Sequence, residues 1–83
     1  MDKYSKEFIK SNQSKITPFM QMSEKSLLKL ANMSISKCTD SYAKNNGNNY
    51  TVSPLNCGVI SHFKSKQDAY LFISSCLVVR SWY

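Results

Sequence analysis

Glycine and proline are scarce, two of each in 83 residues, which excludes a low-complexity or collagen-like chain and favours regular elements. Gly47 and Gly58 stand alone, so there is no glycine-rich loop to cradle a phosphate. Acidic side chains number five (Asp2, Glu7, Glu24, Asp40 and Asp68) and are too scattered to suggest paired carboxylates for acid–base work. Arginine occurs once, as Arg80, and histidine once, as His62. No apolar run approaches the length of a membrane span, and the opening MDKYSKEF lacks the apolar stretch of a signal peptide. A cytoplasmic protein with reduced thiols is the expectation. Cys38, Cys57 and Cys76 lie nineteen residues apart, which excludes a C-x-x-C ligand pair, and adding His62 makes no zinc-knuckle spacing. No metal and no cofactor is expected.

What the chain has in excess is lysine, ten residues against a single arginine, for a net charge of +6. Lysine is a flexible point charge and lacks the planar fork that reads guanine edges, so the excess suits steering toward an acidic partner better than base reading. The apolar share of 42% and the aromatic share of 12% are those of a globular chain, and the length fits one domain over 1–83 with a small core. Such a core leaves little room for a large active-site cleft, and enzymatic activity is not expected. In size and composition, including its Asn, Lys, Ser, Ile and Tyr bias, the chain resembles the small accessory proteins of phages and mobile elements, among them inhibitors of host defence. That resemblance rests on no motif and transfers no residue.

Hydrophobic spacing predicts the elements. Tyr4, Phe8 and Ile9 mark a short helix near 3–10, within a stretch (1–22) that reads as a docking arm. Thr17-Pro18 reads as an N-cap followed by proline at the first helical position. Ser23 caps a longer helix over 24–44, on which Leu28, Ala31, Ile35, Cys38 and Tyr42 recur at spacings of 3, 4, 3 and 4 and Leu27 and Leu30 widen the stripe. The competing reading ends that helix near Asn32 and makes 34–44 a strand, because Ser34, Ser36, Thr39 and Asp40 are poor helix formers. The run Asn45–Asn48 stops whichever element precedes it. Strands near 49–53 and 57–63 form an antiparallel hairpin. Ser65 and Asp68 form a capping box opening a helix over 66–79, though Leu77–Tyr83 also reads as a third strand. The fold class expected is α+β: a single small domain with two or three helices packed on one small antiparallel hairpin or sheet.

Two surfaces are candidates for function. The C-terminal helix carries one apolar stripe (Ala69, Phe72, Ile73, Cys76, Leu77) for the core and a second (Leu71, Val78, Trp82) that is either more core, under Phe8, Phe19 and Met20, or a landing site for a partner. Leu71, Val78, Trp82 and Tyr83 are the candidate partner-binding residues, and the partner is another protein, a protein–nucleic-acid complex or a second copy of the chain. The alternative is weak, non-specific nucleic-acid binding, in which Lys25, Lys29, Lys64 and Lys66 contact phosphates and Tyr50 and Phe63 offer stacking faces. His62 with Cys57 as a nucleophilic pair is disfavoured, since strand parity puts them on opposite faces.

Overall fold

The computed structural model describes residues 5–55 and 60–82. Eight elements follow in order: α1 (Lys6–Ser11), α2 (Gln13–Met20), α3 (Glu24–Ala31), β1 (Met33–Lys37), α4 (Ser41–Asn45), β2 (Tyr50–Pro54), β3 (Ser61–Phe63) and α5 (Lys66–Arg80). The strands form one antiparallel meander in the order β1-β2-β3. The domain is α+β, with five helices among the described residues rather than two or three, and three strands.

Local capping sets most helix starts. Ser5, Ser23 and Ser65 each accept a bond from the backbone N–H three residues on (Phe8, Ser26 and Asp68), and the Asp40 carboxylate accepts from Ala43 N at 2.8 Å. Each satisfies a donor that the first helical turn leaves without a partner. Thr17 does not cap: its hydroxyl donates 2.8 Å back to the Gln13 carbonyl. Pro18 accordingly falls inside α2, where it removes one backbone donor, and the helix ends two residues later. The first helix begins at Lys6, and positions 3 and 4 lie outside the described residues.

The long helix over 24–44 does not form. Asn32 adopts the left-handed conformation (φ 59°, ψ 49°) and its N–H closes α3 on the Leu28 and Lys29 carbonyls. Arg80 donates to the Ala31 carbonyl at 2.6 Å, so the only arginine satisfies an acceptor at that helix end. The chain then leaves as β1, pairing Met33 with Pro54 through Lys37 with Tyr50. The structure follows the competing reading in ending the helix at Asn32, yet the strand stops at Lys37 and Asp40 caps α4. The 3-4 spacing thus linked residues of three elements, and its last member, Tyr42, is exposed. In the predicted hairpin, β3 covers Ser61–Phe63, Ile60 is exposed coil, and positions 57–59 lie outside the described residues.

The core gathers Leu27 and Ala31 of α3, Met33, Val52 and Phe63 of the sheet, and Ala69, Ile73 and Leu77 of α5. Strand alternation puts Met33, Ile35, Tyr50, Val52, Ser61 and Phe63 on the helix-covered face and Ser34, Ser36, Thr51, Ser53 and His62 on the other. The helix α5 stays helical through Arg80, without a third strand at its end. It packs on α3 and the sheet with one side and on α2 with another. That second side holds buried Ser74, Ser75 and Val78. Ser74 donates to the Met20 sulfur at 3.3 Å, and Ser75 donates 2.8 Å back to the Leu71 carbonyl, so neither hydroxyl is buried without a partner.

Candidate binding site at the basic end of the sheet

The antiparallel register decides which lysines meet. Lys37 ends β1 opposite Tyr50, which begins β2, and Tyr50 in turn faces Phe63 at the end of β3. The exit of β1, the entry of β2 and the exit of β3 therefore share one end of the sheet. Lys64 and Lys66 follow β3 directly, and Lys44 arrives from α4 in the β1–β2 connection. Asn49 stitches these pieces: its carbonyl accepts from Cys38 N, its N–H donates to the Phe63 carbonyl, and its side-chain amide donates to the Lys64 carbonyl, each at 2.9 Å. Gly47 takes a positive φ of 87°, and the Lys64 stem passes by it, with Cε 3.9 Å from where a β-carbon would stand.

An open cleft of about 320 Å³ lies here, lined by Lys37, Cys38, Lys44, Asn49 and Tyr50. At its margin the Lys66 ammonium stands 5.9 Å from the centre of the half-buried Tyr50 ring, within range of a cation–π contact. Lys66 also pairs with Glu24 at 3.2 Å, and the same carboxylate oxygen accepts from the Tyr70 hydroxyl. The two hydrogen bonds, Tyr70 first and Lys66 second, hold the Glu24 carboxyl below its usual 4.5. The phenol responds in the opposite sense, pushed up to about 12 chiefly by its bond to that carboxylate. Among the described residues, Lys37, Lys44 and Lys64 pair with no carboxylate, so their charge is directed at solvent.

No family model, curated protein or solved structure matches this chain.

Of the four lysines singled out in the sequence, Lys64 and Lys66 belong to this end, joined by Lys37 and Lys44, which local reading does not find because only strand register delivers them. Lys25 and Lys29 are exposed on α3 and do not line the cleft. Phe63 is 1% exposed and packs its ring 5.2 Å from Phe72, so it offers no stacking face; Tyr50 is half-buried, with Lys66 over its ring. The second stripe of α5 is divided. Val78 is 1% exposed and Leu71 lines a separate cleft of about 250 Å³ with Lys6, Ile9 and Phe72. Trp82, with its ring 5.8 Å from Phe8, keeps 52% of its surface. Tyr83 and Cys57 lie outside the described residues.

Behind the cleft, the polar face of the sheet places a third group. The Cys38 sulfur is 3.6 Å from His62 Nδ1, and the Thr51 hydroxyl is 3.0 Å from the same nitrogen. Thr51 and His62 are cross-strand partners, which explains why they touch. Cys38 is brought in by its backbone bond to Asn49. The cysteine beside the histidine is thus one twenty-four residues away, and only the fold reveals it. Among the described residues no three His, Cys, Asp or Glu side chains gather as a metal site, and no helix is long and apolar enough to cross a membrane.

Proposed function

We propose that the protein is a non-enzymatic binding protein that acts by occupying an acidic surface of a macromolecular complex, as a phage or mobile-element inhibitor of host defence does. The observation that carries this reading is the gathering of Lys37 and Lys44 on an open cleft, with Lys64 at the same end of the sheet and none of the three in an ion pair among the described residues, in a domain of net charge +6. Charges left unneutralised on one face raise encounter rates with an oppositely charged surface and set its orientation. Steric and electrostatic occupation of that surface is the mechanism.

A second reading is favoured by one specific feature, the half-buried Tyr50 ring among these lysines. An aromatic face beside ammonium groups suits single-stranded nucleic acid, with the base stacked and the backbone neutralised. Charge reversal separates the readings. Lys37→Glu/Lys44→Glu, both exposed positions, is expected to keep the fold by circular dichroism and to weaken the interaction at least tenfold. The interaction is read by affinity capture from host extract and by fluorescence anisotropy with short single-stranded DNA and RNA. Loss of a protein partner with no oligonucleotide binding at low salt supports the first reading. Oligonucleotide binding that the variant loses supports the second. A variant that retains every interaction of the parent sinks both.

A further inference from the structure

We propose that the free edge of β1 takes up an extended acidic peptide as a further strand, antiparallel to β1, with its acidic residues running toward the lysine cleft. The inference deepens the binding reading and rests on it, because Lys37 belongs to both the edge and the cleft. β1 is an outer strand paired with β2 alone, and its register from Met33↔Pro54 to Lys37↔Tyr50 runs without a bulge. Two bonds just beyond the strand fix which backbone groups face outward. The Asn32 carbonyl accepts from Leu55 N, and Cys38 N donates to the Asn49 carbonyl, each at 2.9 Å. Asn32, Ser34, Ser36 and Cys38 therefore bond toward β2, while Met33, Ile35 and Lys37 turn their N–H and C=O groups away from it. Among the described residues no backbone or side-chain group pairs with these outward groups. Met33 is 6% exposed, so the accessible edge is Ile35, half-buried, and Lys37, exposed. Between them they offer two donors and two acceptors in strand geometry.

Main-chain bonds give such an edge its affinity for any extended chain, and charge decides which chain. A second copy would bring +6 against +6, with a lysine on each edge, and that repulsion opposes self-pairing. An acidic strand gains where the copy loses. Directly opposed residues stand about 4.5–5.5 Å apart between β-carbons, so a carboxylate opposite Lys37 meets its ammonium. Ile35 packs part of its surface on the core, and an apolar side chain opposite it covers more. In antiparallel pairing the residue opposite Lys37 comes two before the residue opposite Ile35. The ligand therefore reads acidic-x-apolar from its N-terminus. Acidic residues ahead of that triplet continue past Lys37 toward Lys44, the other lysine lining the cleft.

The test uses the full, unaltered chain and a synthetic peptide, acetyl-Glu-Glu-Glu-Thr-Val-Thr-Ile, with a fluorophore at its C-terminus. Two further peptides differ from it by one N-methyl group, on the valine or on the threonine before it. The valine N–H bonds the Ile35 carbonyl in the proposed pairing, whereas that threonine N–H points away from β1. Anisotropy at low salt is expected to show binding by the parent peptide and little change on methylating the threonine. Methylating the valine should weaken binding about tenfold, the cost of one hydrogen bond and its orphaned acceptor. In amide exchange the Ile35 and Lys37 N–H groups should be unprotected in the free protein and slow when the peptide binds, with Ser34 and Ser36 protected throughout. No binding by the parent peptide overturns the proposal. Equal binding by all three peptides, or equal loss from the two methylations, also overturns it, and equal binding leaves attraction by charge alone. Protection of Ile35 and Lys37 in the free protein, with a dimer by light scattering, gives the edge to a second copy and overturns it as well. The wider binding reading is judged separately, by host-extract capture with Lys37→Glu/Lys44→Glu.

Discussion

Glu24, Tyr70 and Lys66 form a polar anchor that ties the start of α3 to the start of α5, and its two titrations bracket the pH range over which it holds. The Tyr70 hydrogen bond is complete while the phenol is neutral, so its contribution is whole below the ordinary phenol value of 10.0 and is lost as pH rises through about 12. Glu24 works in the reverse sense. Its carboxylate contributes above its ordinary 4.5 and is lost as pH falls through the depressed folded value. Both groups face solvent, which limits the pair: a surface ion pair and an exposed hydrogen bond together amount to about 1 kcal/mol at most. Tyr70→Phe is therefore expected to lower the urea midpoint slightly at neutral pH and to flatten the alkaline arm of a stability-against-pH curve. Phenolate absorbance should show a titration near 12 in the parent that the variant lacks. An alkaline arm identical in both proteins would dissociate Tyr70 from Glu24.

At the scale of elements, Asn32 decides where a helix stops. A side chain other than glycine in the left-handed region costs about 1–2 kcal/mol, less for asparagine. Asn32→Ala is expected to lose about 1 kcal/mol and Asn32→Gly to be neutral or stabilising, read as urea midpoints at constant slope; equal midpoints for the two would contradict the left-handed turn. The same residue explains what was legible in the sequence. The serine caps at 23 and 65 and the core stripe of α5 could be read directly, because a cap involves residues three apart and an amphipathic helix repeats within itself. The end of α3 is legible only as the competing reading, because Ile35 and Cys38 lie beyond it at helical spacing by coincidence, and β1 is too short for its alternation to outweigh that pattern. The site divides along the same line. Lys64 and Lys66 stand next to a recognisable helix start, whereas Lys37, Lys44 and the Cys38–His62 contact exist only through strand pairing, a non-local property that no window along the chain contains.

For the whole molecule, the surplus of lysine is meaningful only where it is concentrated. Neutralising a single-stranded phosphate costs about 0.7 in the slope of log affinity against log salt. Lys37, Lys44 and Lys64 would then give about −2, and about −3 if Lys66 leaves Glu24 for the ligand. A measured slope beyond about −5 would mean that lysines far from the cleft, such as Lys25 and Lys29, take part; a slope near zero would mean that charge is not the contact. The packing of α5 has a consequence of another kind, in time rather than in space. Every element it packs on, α2, α3 and the sheet, precedes it in the chain, so none of those contacts exists until Lys66–Arg80 has been made. Translation at about 5–20 residues per second takes about 1–3 s over that span. The core therefore closes last, and Val52, Phe63 and Leu27 gain the cover of α5 only after the rest of the fold has been made.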